Sequence, residues 1–288
     1  MNSDVSVRLN EAWRRHERRW KDTRLVYAVV SRRSRGISIG LNLAPDKTCN
    51  FNCVYCQVNR AIPPATRLVD TETLSEELDR ILQAEKDGTL YEDAPFNALL
   101  PDERGIRDIA FSGDGEPTTC AQFEEAARIA ARLRLQYDLQ TAKLVLITNA
   151  SRLPEVRSAL TVLDENNGEI WAKLDAGTED YFQKTNRSRL SLTRILENIL
   201  DAARSRALVI QTLWFRLREQ PPPEKEILAY CDRLNELLAA GGRLKSIQMY
   251  TLARNPREAA AAPLPSEELE KIASFVQTKV PIPIEVYK

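Results

Sequence analysis

Histidine is nearly absent from this sequence: His16 is the only one among 288 residues, and cysteine, at five, and methionine, at two, are also scarce. A closed four-ligand zinc site therefore has little to draw on, because His16 lies far from most of the thiols and among arginines. Net charge is absent too. The 41 basic residues balance 41 acidic ones, so no global charge draws the chain to nucleic acid. No apolar run approaches the ~20 residues of a membrane span, and the first residues lack the apolar core of a signal peptide. The expectation is a cytoplasmic protein with no membrane partner, and free thiols suit such a reducing compartment.

Against that scarcity, Cys49, Cys53 and Cys56 crowd into eight residues as Cys-x3-Cys-x2-Cys. Soft thiolates on one short loop suit iron, and three of them can hold three irons of a 4Fe–4S cluster. With no fourth cysteine nearby, one iron would keep an open position. Binding and activating a ligand needs that position, whereas simple electron transfer does not. A zinc knob lacking its fourth ligand and a chance cluster of buried cysteines are the structural alternatives. Cys231 falls on an apolar helical face and Cys120 at a helix start, so both read as packing rather than as a second cluster.

A chain of this length can bury about three quarters of its unfolded surface in one core. Short β-branched runs over 37–43, 107–112, 143–149, 169–175, 207–215 and 245–251 alternate with helical patterns, the signature of βα units around a parallel sheet. A last short strand is expected over 282–287. Leu74, Leu78, Ile81 and Leu82 recur at helical spacing, with Thr73 and Glu76 as a capping box and Gly88 as a stop. Ile227, Cys231, Leu234 and Leu238 repeat the pattern before Gly241. The fold class expected is α/β, a partial TIM barrel of the (β/α)6 type. Residues 37–288 would form it, in a single domain overall, preceded by a basic extension over 1–36. That extension carries ten Lys or Arg against four Asp or Glu, an excess of six. Its Arg14, Arg15, Arg18 and Arg19 share helical spacing with Trp13 and Trp20, either as an anion-binding face or as a solvated helix.

Parallel barrels place chemistry at the carboxyl ends of their strands. The second expected strand runs into Gly113-Asp114-Gly115-Glu116, where two glycines permit close approach to a ligand and Glu116 offers a carboxylate. The third ends at Asn149 and the fourth at Asp175, which could bond a ribose or cap the next helix. Gln211 and Tyr250 are further candidates, and Lys173 reads as an interior ion-pair partner.

The cysteine spacing, with an aromatic just before the third Cys, resembles the radical S-adenosylmethionine (SAM) superfamily. The strings SRRSRGISIGLNLAPDKTCNFNCVYCQ, FSGDGEPT, LITNAS, KLDAGTEDYFQKTNR and IQMYTLAR look like uncharacterised radical SAM proteins grouped with the tRNA wyosine synthetases. The resemblance implies that Cys49, Cys53 and Cys56 ligate one 4Fe–4S cluster. It further implies that SAM binds at Gly113, Asp114, Gly115, Glu116, Asn149, Asp175 and Gln211. Reductive cleavage of SAM would then give a 5′-deoxyadenosyl radical, with the electron from a donor such as flavodoxin or ferredoxin. The substrate would be a small molecule, a peptide or RNA. Wyosine synthetases carry additional cysteines and a lysine that captures pyruvate, whereas this chain has no cysteine before Cys49. A tRNA modifier of that type is the alternative enzyme, and a non-catalytic iron–sulfur or zinc-binding protein the alternative of another class.

Overall fold

The computed structural model describes residues 20–64, 66–254 and 256–288. They fall into two compact units that interleave along the chain. Of the described residues, the first takes in 20–48, Pro64–Leu146 and Ser158–Glu169, and the second Cys49–Pro63, Ile147–Arg157 and Ile170–Lys288.

In the first unit, β1 (Val26–Ser31) pairs antiparallel with β2 (Gly36–Leu41), and β2 pairs in parallel with β3 (Ile106–Phe111). The next strand, β4 (Lys143–Thr148), is parallel to β3. Three of these lie within two residues of the expected positions, but β1 was not foreseen. Its sequence VYAVVS sits inside the basic stretch assigned to an extension, and the sheet begins there rather than at residue 37. The start of β1 is secured from the helix Thr71–Asp87, whose buried Glu77 carboxylate accepts the backbone N–H groups of Arg24, Leu25 and Val26 at 2.9, 2.8 and 3.0 Å. Three edge donors are thereby satisfied by one side chain. That helix buries Leu74, Leu78, Ile81 and Leu82 and stops at Gly88 in the left-handed region, as expected. Its cap is Asp70 rather than Thr73: the Asp70 carboxylate accepts the Thr73 N–H at 3.1 Å.

In the second unit, β5 (Gly168–Lys173), β6 (Leu208–Leu213), β8 (Leu244–Tyr250) and β10 (Ile284–Tyr287) run parallel in that order. Lys173, Gln211 and Gln248 stand side by side on successive strands. The helix Glu224–Ala239 covers one face, where the Thr212 and Tyr230 hydroxyls lie 2.6 Å apart and Trp214 meets Tyr230 edge-on. Side chains alternate along a strand, so Gln211 and Leu213 belong to the opposite face. The helix buries Ile227, Cys231 and Leu234 as expected, with Leu237 in place of Leu238. An unforeseen two-stranded antiparallel sheet pairs β7 (Phe215–Leu217) with β9 (Ala261–Pro263), which ends a run of alanines with little strand propensity.

Candidate metal centre and its supporting network

All three clustered cysteines are half-buried free thiols. Their loop is held by its backbone: the N–H groups of Asn52 and Val54 donate to the carbonyls of Asn186 and Thr185 at 3.2 and 2.9 Å, and Cys56 N–H donates to Cys53 O at 3.0 Å. From the other side, Arg257 N–H donates to Cys56 O at 3.0 Å. Val54 and Tyr55 sink into an apolar cluster with Leu213, Phe215, Leu252 and Ala261, and Cys53 packs at its margin. The apolar residues between the second and third cysteines are thus buried, which fixes the backbone that carries the thiols. A shallow depression lies beside Cys53 and Cys56, lined also by Arg60, Arg257 and Glu258.

Beneath the loop stands Asp175, buried just beyond β5. Its Oδ1 accepts the Leu213 N–H at 2.8 Å and faces the Lys173 ammonium at 3.4 Å. Its Oδ2 accepts from the Tyr55 phenol and from Asn186 Nδ2, the latter at 3.2 Å. Lys173 also donates to the Tyr250 hydroxyl at 2.8 Å and lies 5.3 Å from the ring centres of both Tyr55 and Tyr250. Burial alone would lower the Lys173 pKa, but Asp175 and Tyr250 reverse that and hold it above its ordinary range, as an ammonium. Burial pushes the metal-free Cys53 thiol up to about 12, with Tyr55 opposing and Asp175 reinforcing the rise. The Tyr55 phenol is raised for the same first reason, helped by Asp175.

The other expected residues occupy different settings. Asn149 donates to Asn50 Oδ1 at 2.8 Å and accepts the Ser151 N–H at 3.0 Å, while Asn50 reaches Ser151 Oγ at 2.7 Å, so Asn149 braces the residue that follows Cys49. Gln211 is fully buried and donates to Gln248 Oε1 at 2.8 Å; its own Oε1 has no partner in the protein.

In the first unit, Asn42 clasps Asp114, donating to its carboxylate at 2.9 Å and accepting its N–H at 3.0 Å. The glycines there serve close packing against the protein's own chain. A Cβ at Gly113 would lie 2.3 Å from Asn42 Oδ1, and one at Gly115 would lie 2.0 Å from Thr48 O, the carbonyl just before Cys49. Glu116 is buried and caps a short turn, accepting the Thr118 hydroxyl at 2.6 Å and its N–H at 3.2 Å. Cys231 is core, and the Cys120 thiol donates to Gln122 Oε1 at 3.4 Å. The arginines and Trp13 of the N-terminal helical pattern lie outside the described residues.

The donor set suits an iron–sulfur cluster: three free thiols on one anchored loop, with polar N–H groups aimed at two sulfurs, Asn186 Nδ2 at 3.8 Å from Cys53 and Arg60 Nη1 at 3.5 Å from Cys56. Among the described residues, no three His, Cys, Asp or Glu side chains close on a single ion. A cubane asks for something else, one thiolate on each of three irons. Asn186 escaped the sequence reading as a site residue because it sits in a polar run, QKTNR, without periodicity.

The fold is the α/β partial barrel of radical SAM enzymes. Over 91% of its length the chain is similar to a radical SAM methyltransferase from Sphaerobacter thermophilus, with a TM-score of 0.61, 13% identity and 68% of that chain covered. It is also similar to TYW1 carrying a lysine–pyruvate adduct, with a TM-score of 0.54, 16% identity, and 86% and 74% of the two chains covered. In sequence it resembles UPF0026 proteins. The one from Synechocystis is 33% identical over 180 residues, 60% of this chain and 57% of that protein. The one from Helicobacter pylori strain 26695 is 24% identical over 260 residues, 88% of this chain and 74% of that protein. A protein of Brachyspira hyodysenteriae named GTPase Obg is 24% identical over 92% of this chain, which spans only 35% of that longer protein. No protein-family model matches the chain.

Proposed function

We propose that this chain is a radical SAM enzyme in which Cys49, Cys53 and Cys56 hold one 4Fe–4S cluster. The observation that carries the reading is the anchored loop of three free thiols on a partial barrel of this fold. When bound, the cluster and SAM would supply a one-electron reductive cleavage of SAM, yielding methionine and a 5′-deoxyadenosyl radical for hydrogen abstraction. The chain's own residues hold that chemistry in place. Val54 and Tyr55 anchor the loop in apolar surroundings, Asp175 ties Tyr55 to the end of β5, the backbone carbonyls of Thr185 and Asn186 hold two loop N–H groups, and Asn149 steadies Asn50 beside Cys49. On the first unit the SAM contacts proposed are Gly113, Asp114, Gly115 and Glu116; on the second they are Asn149 and Gln211, whose buried Oε1 lacks a partner among the described residues. The Asp175 oxygens are taken up by Leu213, Lys173, Tyr55 and Asn186, so its part is to position the loop. An acidic one-electron donor such as flavodoxin or ferredoxin would reduce the centre.

Wyosine-type modification of tRNA is the second reading, and one feature weighs against it: the Lys173 ammonium is engaged by Asp175 and Tyr250, so it would have to give up a proton and these contacts before bonding a carbonyl carbon. Incubation of the reconstituted protein with SAM and a strong reductant tests the proposal: 5′-deoxyadenosine and methionine should accumulate in equal amounts, and their absence from iron-loaded protein would overturn it.

A further inference from the structure

Two side-chain donors, from different parts of the second unit, meet the sulfurs of the cysteine loop. Asn186 Nδ2 stands 3.8 Å from Cys53 Sγ, and Arg60 Nη1 stands 3.5 Å from Cys56 Sγ. The Asn186 amide is oriented by a carboxylate: Asp175 Oδ2 can only accept, so the group 3.2 Å from it is Nδ2, which thereby also faces Tyr55 and Cys53. Holding the loop does not require this amide, because the backbone carbonyls of Thr185 and Asn186 already accept two loop N–H groups. The side chain's reach toward sulfur is a separate feature. Arg60 brings a positive charge as well as an N–H, one helical turn's worth of residues beyond Cys56.

Resting on the cluster reading above, we infer that Asn186 and Arg60 are positioning residues that set the potential at which the metal centre accepts its electron. An N–H donated to a ligating sulfur stabilises the more negative, reduced state more than the oxidised one, so each donor raises the reduction potential. A buried amide and a cation on two different ligands would bring the centre within reach of a biological reductant.

The test is the midpoint potential of the anaerobically reconstituted full-length protein, followed by the electron paramagnetic resonance signal of the reduced cluster. Arg60→Met and Asn186→Leu, which remove the donors at similar size, should load iron as the wild type does and shift the midpoint downward. Arg60→Lys, retaining charge and one donor nitrogen, should fall between wild type and Arg60→Met. Iron-loaded Arg60→Met and Asn186→Leu at the wild-type potential would overturn the inference. So would variants that lose iron while the wild type keeps it, since that marks a purely structural role. Wild-type protein that takes up no iron would overturn the cluster reading itself, and this outcome is read from the metal content alone.

Discussion

The Lys173 ammonium lies 3.4 Å from Asp175 Oδ1, two residues along the same strand end, with Asp175 sealed from solvent and Lys173 only partly so. The pair joins β5 to β6 through Leu213 N–H and to the cysteine loop through Tyr55. Removing one member leaves the other charge buried without its counterpart, a loss of about 3 to 5 kcal/mol in such settings. Asp175→Asn should therefore destabilise the metal-free protein by about 3 kcal/mol. The double variant with Lys173→Met should lose less than the sum of the single changes, measured by urea unfolding.

The same pair fixes the sign of an alkaline pH effect. Lys173 has its pKa raised above the ordinary 10.5 in the folded state, so its stabilising contribution is complete below that value and is lost as pH rises through the folded pKa. The raised Tyr55 phenol, ordinarily 10.0, acts in the same direction. Unfolding free energy of the metal-free protein should fall between pH ~10 and ~11.5, and Lys173→Met should flatten that fall. An equal decline in the variant would mean that other groups dominate.

Gly115 abuts the carbonyl of Thr48, immediately before Cys49. An alanine there places a methyl 2.0 Å from Thr48 O and 2.6 Å from the Ala44 Cβ, so the backbone leading to the cysteines must move. Gly115→Ala should cost about 1 to 3 kcal/mol by thermal unfolding and lower iron retention after gel filtration. Gly88→Ala is a useful contrast. Its added methyl meets nothing, and only the left-handed φ of 87° opposes it, so it should lower stability without affecting iron.

Much of the fold was legible because parallel strands buried on both faces are written as short β-branched runs, and six of them lie within two residues of the expected bounds. β1 was hidden by its basic surroundings, and the β7–β9 pair by alanines whose strand state depends on the partner rather than on propensity. The cysteines declared themselves by spacing. What surrounds them did not: Asp175 reads equally as a ligand contact or a cap until the positions of Tyr55, Asn186 and Leu213 are known. The glycines of Gly113–Glu116 likewise imply close approach, but the sequence does not say to what, and the nearest atoms are those of Asn42 and Thr48.

The central claim is that three thiolates of one loop hold one cubane, and metal analysis of anaerobically reconstituted protein tests it most directly. Full-length protein should carry about four iron and four sulfide per chain with the broad visible absorption of a 4Fe–4S cluster. Single Cys49→Ala, Cys53→Ala and Cys56→Ala variants should lose it, while Cys120→Ala and Cys231→Ala keep it. Stoichiometric zinc without sulfide, or iron content indifferent to Cys49, Cys53 and Cys56, would contradict the account.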